Sequence, residues 1–404
     1  MAKVVLAYSG GLDTSVAVRW LMDRYGLEVV TLTANLGDDV DLETARRKAL
    51  AIGAVDAYVI DARQEFVDDY VLPALQAGAL YEGTYPLATA LARPLIARLL
   101  VNVARETGAG LIAHGCTGKG NDQVRFDVAT TALAPDLKVI APIREWRMSR
   151  EEEIEYAQQH GIPVSVDVGS PYSTDSNLWG RSVECGILED PALAPPEEAY
   201  EWTVSAEIAP DTPQEIEIDF DGGVPVALDG EDMPPVVLIE TLNAIGGRHG
   251  VGRIDMIENR LIGLKSREIY EAPAATILHA AHAAVEDLTL TKDSLRFNDT
   301  VRATYADLIY NGLWFGTLRR DLAAYAGSAQ RNVTGTARVK LFKGSCAVNG
   351  RWSPYSLYDH ELATYGAGDQ FDYRAAEGFI TLWGLPLRTQ ARRQSLFPQE
   401  VSAG

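Results

Sequence analysis

Cysteine is scarce. There are three in 404 residues, Cys116, Cys185 and Cys346, and no two fall in a C-x-x-C pair. That count excludes a disulfide framework and a cysteine-rich zinc cluster, and it fits a reducing compartment. Long apolar runs are missing too. The longest, PLATALARPLIARLLVNVA, is broken by Arg93 and Arg98 and cannot span a bilayer. The early run VVLAY is too short for a signal peptide and no cleavage pattern follows, so a soluble cytoplasmic protein is expected. Positive charge is in deficit, with 36 basic against 56 acidic residues and a net charge of -20. Such a surface repels nucleic acid and anionic membrane, so neither is expected as a partner. An anionic ligand must be met by a local positive field. The chain has no internal repeat and no low-complexity segment. Two familiar nucleotide patterns, G-x-x-x-x-G-K-[ST] and G-x-G-x-x-G, are absent; GCTGKGND has the wrong spacing and no hydroxyl residue after its lysine.

The length allows two or three domains. Over residues 1–168 short β-branched runs (KVVLAY, EVVTLTANL, DAYVI, AGLIAHG, LKVIAPI) alternate with helical stretches at 14–25, 42–52, 64–79 and about 87–106. Strands alternating with helices imply crossover connections and a parallel sheet. Gly26 and Gly53 stand where helix-ending glycines belong. Ser149 and Glu152 form an S-x-x-E capping box, and Gly161 stops that helix. After the proline-rich DPALAPPEEAYEW the texture changes to alternating strands such as EIEIDFDGG. A second, α+β domain is therefore expected over 169–360, with Asn349-Gly350 as a hairpin turn. Residues 361–404 read as a C-terminal helix and tail. That helix would dock either on a neighbouring subunit, as an oligomerisation element, or on its own domain.

The most informative stretch is KVVLAYSGGLDTSVAVRW. A strand runs into Ser9-Gly10-Gly11-Leu12-Asp13-Thr14-Ser15 and then directly into a helix. In an open α/β sheet ligands bind at such strand ends. Unpaired helix N–H groups and a partial charge of roughly +0.5 favour an anion there. Gly10 and Gly11 allow close backbone approach and positive φ. Ser9, Thr14 and Ser15 can donate to phosphate oxygens. Asp13 would oppose bare phosphate, so it either caps the helix or holds a magnesium ion that accompanies the phosphate. A well-capped helix after a glycine turn is the plain alternative.

This loop resembles the SGG-[LIV]-D-[ST]-S motif of the N-type ATP pyrophosphatases, whose fold is adenine nucleotide alpha hydrolase-like. They cleave ATP between its α and β phosphates. Four further stretches, YEGTYPLATALARPLIA, AHGCTGKGNDQVRFD, YSTDSNLWGRSVECG and IENRLIGLKSREIYEAP, together resemble the argininosuccinate synthase family. The resemblance implies a ligase that joins L-citrulline to L-aspartate through citrullyl-AMP, with ATP as co-substrate and Mg2+ beside it, in a homotetramer. It implies ATP contacts at Ala7, Tyr8, Ser9, Gly10, Gly11, Leu12, Asp13, Thr14, Ser15, Ala34 and Gly115. Aspartate contacts would be Thr117, Asn121 and Asp122. Citrulline contacts would be Tyr85, Asn121, Arg125, Ser173, Ser182, Glu258 and Tyr270. Asp122 can receive an ammonium, Arg125 suits a carboxylate, and Glu258 an ammonium or ureido N–H. Asp13 and Asp122 are the candidate catalytic residues, and no dedicated protein metal site is expected. Ala90 departs from the family pattern, because a citrulline-binding serine is common there. The alternative within the superfamily is a tRNA sulfur transferase, which would need paired reactive cysteines and a basic face. His279 and His282, at metal-ligand spacing, lack an acidic partner placed to complete a site and read as a buried helix face. His114 reads as structural and Cys116 as an inert small residue beside the site.

Overall fold

The computed structural model describes residues 2–37, 41–146, 148–163 and 171–394. These fall into two compact units, Met1–Tyr355 and Ser356–Gly404. The expected domain boundary at 168/169 lies outside the described residues.

In the first unit β1 (Lys3–Ala7), β2 (Glu28–Asn35), β3 (Asp56–Asp61), β4 (Leu111–Ala113) and β5 (Lys138–Ile140) form one sheet in the order β3-β2-β1-β4-β5. Every neighbouring pair is parallel. Val4, Val5 and Leu6 of β1 are all fully buried, as a sheet covered on both faces requires. Alternate residues serve different cores. Val4 and Leu6 pack with Val16, Leu21 and Ala49 on one side, and Val5 packs with Phe66, Leu95 and Leu100 on the other. The covering helices are α1 (Leu12–Tyr25), α2 (Leu42–Ile52), α3 (Arg63–Phe66), α4 (Leu72–Gln76), α5 (Ala88–Thr107) and α6 (Asp122–Leu133). A π-helical turn, Val67–Val71, joins α3 to α4 without a break. Gly26 ends α1 in the left-handed conformation. After α7 (Pro142–Trp146), α8 (Arg150–Gln159) opens with the capping box read from the sequence, both of its hydrogen bonds being present. The parallel α/β architecture is thus as expected.

Chain direction fixes where a ligand can sit. The first three strands run to one side of β1, and the chain then crosses back to place β4 on the other side. The loops after β1 and β4 therefore diverge and leave a crevice at the switch point.

The rest of the unit holds two antiparallel sheets. The strands are β6 (Ser173–Asn177), β7 (Gly180–Glu184), β8 (Gln214–Asp221), β9 (Val224–Leu228), β10 (Glu231–Asp232), β11 (Arg253–Asn259), β12 (Lys265–Glu271), β13 (Gly335–Phe342) and β14 (Ser345–Trp352). They order as β11-β12-β7-β6 and β10-β9-β8-β13-β14. The helices are α9 (Pro235–Arg248), α10 (Pro273–Thr289), α11 (Lys292–Tyr310) and α12 (Thr317–Ala329). The β6–β7 hairpin is fastened to the first sheet through its turn. Leu178 donates to the Leu36 carbonyl at 2.8 Å, Trp179 Nε1 to Pro86 at 2.8 Å, and Asn177 Nδ2 to Ala88 at 3.0 Å. One expectation fails here. Asn349-Gly350 is not a turn; both residues lie inside β14, and the register slips between Arg338 and Val339 opposite them, a β-bulge. The β13–β14 turn is Lys343-Gly344, both at positive φ, which a two-residue hairpin of this hand demands.

The second unit contains α13 (His360–Ala363), α14 (Tyr373–Trp383) and α15 (Leu385–Gln394). The single helical run read from the sequence is split at Gly384, two residues before Pro386, whose ring has no N–H to continue a helix.

Candidate active site

The loop after β1 keeps its donors facing outward. Gly11 is the N-cap of α1 and no side chain caps the helix, so its first N–H groups stay available to an anion. Asp13 is therefore not the cap. Gly10 takes φ +80°, which an L side chain adopts with strain, whereas Gly11 sits at -69° and needs no such freedom. What Gly11 avoids is crowding, since a Cβ there would stand 3.3 Å from Ser9 Oγ. The Ser9 and Thr14 hydroxyls lie 3.1 Å apart. Ser15 turns inward and is fully buried, bonded to Tyr8 Oη at 3.2 Å. Lys48 of α2, unnoticed in the sequence, donates to the Gly10 carbonyl at 2.5 Å and brings positive charge to the loop. Arg150 lies 3.7 Å from Asp13.

A cleft of about 440 Å³ opens from this loop. Ala7, Tyr8, Ser9, Asp13, Thr14, Ala34 and Gly115 line one end. Tyr85, Thr117, Asn121, Asp122, Arg125, Ser173, Ser182, Glu258 and Tyr270 line the remainder. Of the expected contacts, Gly10, Gly11, Leu12 and Ser15 do not line it. Ala90 is buried and does not line it either, while its neighbour Thr89 does.

Strand pleating explains the other end of the cleft. In the sheet β11-β12-β7-β6, Tyr270 pairs with Ser182, and Ser182 with Asp175; Ser173 pairs with Glu184, and Met256 with Glu268. Side chains alternate faces along a strand. One face thus presents Ser173, Asp175, Ser182, Glu184, Glu258, Glu268 and Tyr270 together, and all seven line the cleft. The opposite face contributes Val183 and Ile269 to a small apolar cluster with Leu188 and Ala199.

These side chains are tightly cross-paired. Arg93 of α5 grips Asp122 at 2.8 Å and Asp175 at 2.6 Å. Arg125 takes the other Asp122 oxygen at 2.8 Å, donates from Nε to the Tyr310 carbonyl at 3.0 Å, and lies over the Tyr310 ring. Burial would push the Asp122 carboxyl up, but the two guanidinium groups outweigh it and hold the carboxyl below its ordinary range. Both of its oxygens are thus engaged by guanidinium groups. Gly312 permits this closeness, because a Cβ there would stand 2.9 Å from Arg125 Cα, at φ +75°. Glu258 is 1% exposed and accepts from Tyr270 and Tyr310, each at 2.8 Å. Asn121 donates to Tyr310 Oη at 2.8 Å and accepts from Leu261 N at 3.0 Å. The tyrosines are stacked in two pairs, Tyr81 on Tyr310 at 3.6 Å and Tyr85 on Tyr270 at 4.0 Å.

Sequence reasoning missed Arg93, Asp175, Glu184, Arg260, Glu268 and Tyr310. All but Tyr310 stand inside the quoted family stretches, and the alternation in 266–270 would have grouped Glu268 with Tyr270. Tyr310 carried no local signal.

His114 is buried. Its Nε2 meets Asp127 at 2.9 Å and its Nδ1 accepts from Cys116 N at 3.2 Å, so it shapes the loop after β4. Burial pushes the Cys116 thiol well above its ordinary value, and all three cysteines are free, which disfavours sulfur transfer. His282 is buried and bonded to Gln330 at 2.9 Å. Among the described residues no group of three or more His, Cys, Asp or Glu could hold a metal ion.

Fold and cleft together define a nucleotide-binding α/β protein with an adjoining site of both charge signs, suited to a small zwitterion. Two family models match the chain. The arginosuccinate synthase N-terminal HUP domain covers residues 3–163, and the arginosuccinate synthase C-terminal domain covers residues 172–390. The chain is 58% identical over 398 residues to the argininosuccinate synthase of Dehalococcoides mccartyi strain 195, covering 98% of each. It is 58% identical over 402 residues to that of Geobacillus thermodenitrificans, covering 100% of this chain and 99% of the other. To that of Listeria monocytogenes serotype 4a it is 57% identical over 393 residues, covering 97% of each. The chain belongs to the argininosuccinate synthase family.

Proposed function

We propose that this enzyme condenses L-citrulline with L-aspartate to argininosuccinate, converting ATP to AMP and pyrophosphate, as a step of arginine biosynthesis. The observation that carries the reading is the full-length likeness to argininosuccinate synthases, with both family domains matched in order. The cleft supports it by joining a phosphate-type loop to a mixed-charge pocket.

The chemistry needs no covalent enzyme intermediate. The citrulline ureido oxygen attacks the α-phosphorus and pyrophosphate leaves. The resulting AMP ester turns a poor leaving oxygen into a good one. The aspartate amine then attacks the ureido carbon and AMP departs with that oxygen. Most of the acceleration would come from orientation and charge stabilisation. In this reading the amides opening α1 receive the leaving pyrophosphate, and Lys48 holds the loop. Arg125 meets the citrulline carboxylate and Glu258 its ammonium. Thr117, Asn121 and Asp122 take aspartate. Mg2+ typically uses one or two carboxylates plus substrate phosphates, so partly exposed Asp13, which lines the cleft together with Ser9 and Thr14, would fit it, and the ion would neutralise phosphate charge.

We also infer a homotetramer assembled in the cytoplasm. Support comes from α14, whose Phe379, Ile380, Leu382 and Trp383 are exposed. No helix among the described residues is long and apolar enough to cross a membrane. Sedimentation of the full chain against one truncated after Tyr355 tests the assembly. The activity is tested by measuring AMP and pyrophosphate with each amino acid omitted in turn. Both products should require both amino acids, and 18O placed in the ureido group should emerge in AMP. Formation of ADP, or turnover without aspartate, would overturn the reading.

A further inference from the structure

The far end of the cleft contains more carboxylate than it can hold ionised. Glu184, Glu258 and Glu268 surround one guanidinium, Arg260. Arg260 Nη2 contacts Glu184, and Glu268 at 2.8 Å; its Nε is buried without a hydrogen-bond partner, 3.9 Å from Glu258. Proton counting makes the imbalance concrete. The Tyr270 hydroxyl lies 2.8 Å from Glu258 Oε2 and 2.8 Å from Glu268 Oε2. It has one proton to give. If both carboxylates were ionised, one of these contacts would be two bare acceptors at hydrogen-bond distance. Glu258 is the better ionised acceptor, since it already receives the Tyr310 hydroxyl at 2.8 Å. Glu268 is thus the group that supplies the missing proton, donating to the Tyr270 oxygen while Tyr270 donates to Glu258.

We propose that Glu268 is a positioning residue that carries a proton in the unliganded enzyme, aims the Tyr270 hydroxyl at Glu258, and releases that proton when the citrulline ammonium binds. The proposal rests on the reading that Glu258 meets that ammonium. An arriving cation supplies the positive charge that the proton had provided, so the two exchange and the proton passes to solvent. Groups facing Glu268 are Tyr270 on its own strand, Glu258 on β11, Arg260 just beyond it, Glu184 on β7 and, across the cleft, Tyr85, while Asp122 on α6 acts on Glu184. Burial first, and then the Glu258 charge, push the Glu268 carboxyl up to about 7, with Arg260 opposing. Burial and Glu268 also raise Glu184. A proton bound in the free enzyme and absent from the complex weakens binding below its pKa, so citrulline should bind tighter as pH rises and level off above it. Citrulline's own ammonium stays protonated throughout that window.

The test is the citrulline KM from pH 6 to pH 8, at saturating ATP and aspartate, for the wild type, Glu268→Gln and Glu258→Gln. The wild-type value should fall by up to about tenfold, the ceiling for one proton released around pH 7. Glu268→Gln keeps a donor to Tyr270 but cannot titrate, so its citrulline KM should stay near the wild-type acid value and flat with pH. The aspartate KM serves as reference and should not share the slope. If Glu258→Gln raises the citrulline KM while Glu268→Gln keeps the wild-type slope, this proposal falls and the substrate assignment stands. If Glu258→Gln leaves the citrulline KM unchanged, both fall. Should the variants fail to fold, citrulline can be titrated calorimetrically into the wild type with a nonhydrolysable ATP analogue, in buffers of different ionisation heat. Release of about one proton per site at pH 6 is expected; no release overturns the proposal.

Discussion

The two ends of the cleft are built on opposite plans. The end we assign to the nucleotide is built mainly from backbone and small hydroxyls of the loop after β1, with Ala34 and Gly115 beside them and an uncapped helix start behind. The end we assign to the amino acids consists largely of charged side chains and stacked tyrosines drawn from the segment before α5, from α5, α6, β6, β7, β11, β12 and from the end of α11. A triphosphate offers the same negative oxygens in every reaction, so amides and a helix terminus suffice to hold it. A zwitterion with a ureido tail must be told from other amino acids. That requires separate partners for each charge, at positions which only folding brings together. Error should therefore be tolerated differently at the two ends. A buried ion-pair lattice fails sharply when one member is removed, because the partner's charge is left without compensation.

The largest expected effect is accordingly at the amino-acid end. Asp122→Asn leaves Arg93 and Arg125 facing each other with one carboxylate fewer, and kcat/KM for aspartate should fall by about a thousandfold, roughly 4 kcal/mol. Pyrophosphate release at varied aspartate measures it; a loss under tenfold would show that the lattice is not needed. At the nucleotide end, Asp13→Ala should lower turnover by about a hundredfold and raise the magnesium concentration needed for half-maximal rate. An unchanged magnesium dependence would remove Asp13 from that role. Lys48→Met, which deletes the cation on the Gly10 carbonyl, should raise the ATP KM about fivefold, roughly 1 kcal/mol, and leave both amino-acid KM values within twofold. The smallest effect concerns Ala90→Ser. Because Ala90 is buried away from the cleft lining, the restored hydroxyl should change the citrulline KM by less than about twofold. A larger gain would mean that this position reaches the ligand after all.

The same contrast governs what could be read from the sequence. The parallel sheet was legible because β-branched runs and helical periods alternate, and the loop because its donors are contiguous in the chain. The capping box at Ser149 and Glu152 was legible for the same local reason. Contact residues of the second half were expected only through resemblance, and their mutual pairing was not legible. Arg93 and Asp175 are 82 positions apart, and Tyr310 meets Asn121 across 189. Charge alternation along 266–270 was present in the letters, but its meaning depends on a neighbouring strand that brings Ser182 and Glu184 to the same face. The misplaced hairpin turn has a related cause. Asn-Gly is a strong local turn signal, yet pairing of β13 with β8 and of β14 with β13 put Lys343-Gly344 at the reversal and absorbed Asn349 as a bulge.

One small joint couples the unlike halves. The N–H of Leu178 holds the Leu36 carbonyl, and a Cβ on Gly37, at φ +98°, would fall 2.2 Å from Leu178 Cγ. Position 37 does not line the cleft, yet a Cβ there would push the β6–β7 hairpin away from the parallel sheet. Serines 173 and 182 would be carried off with it, leaving the triphosphate seat in place. Hydrogen at that one α-carbon is thus what lets the two walls of the cleft stay joined.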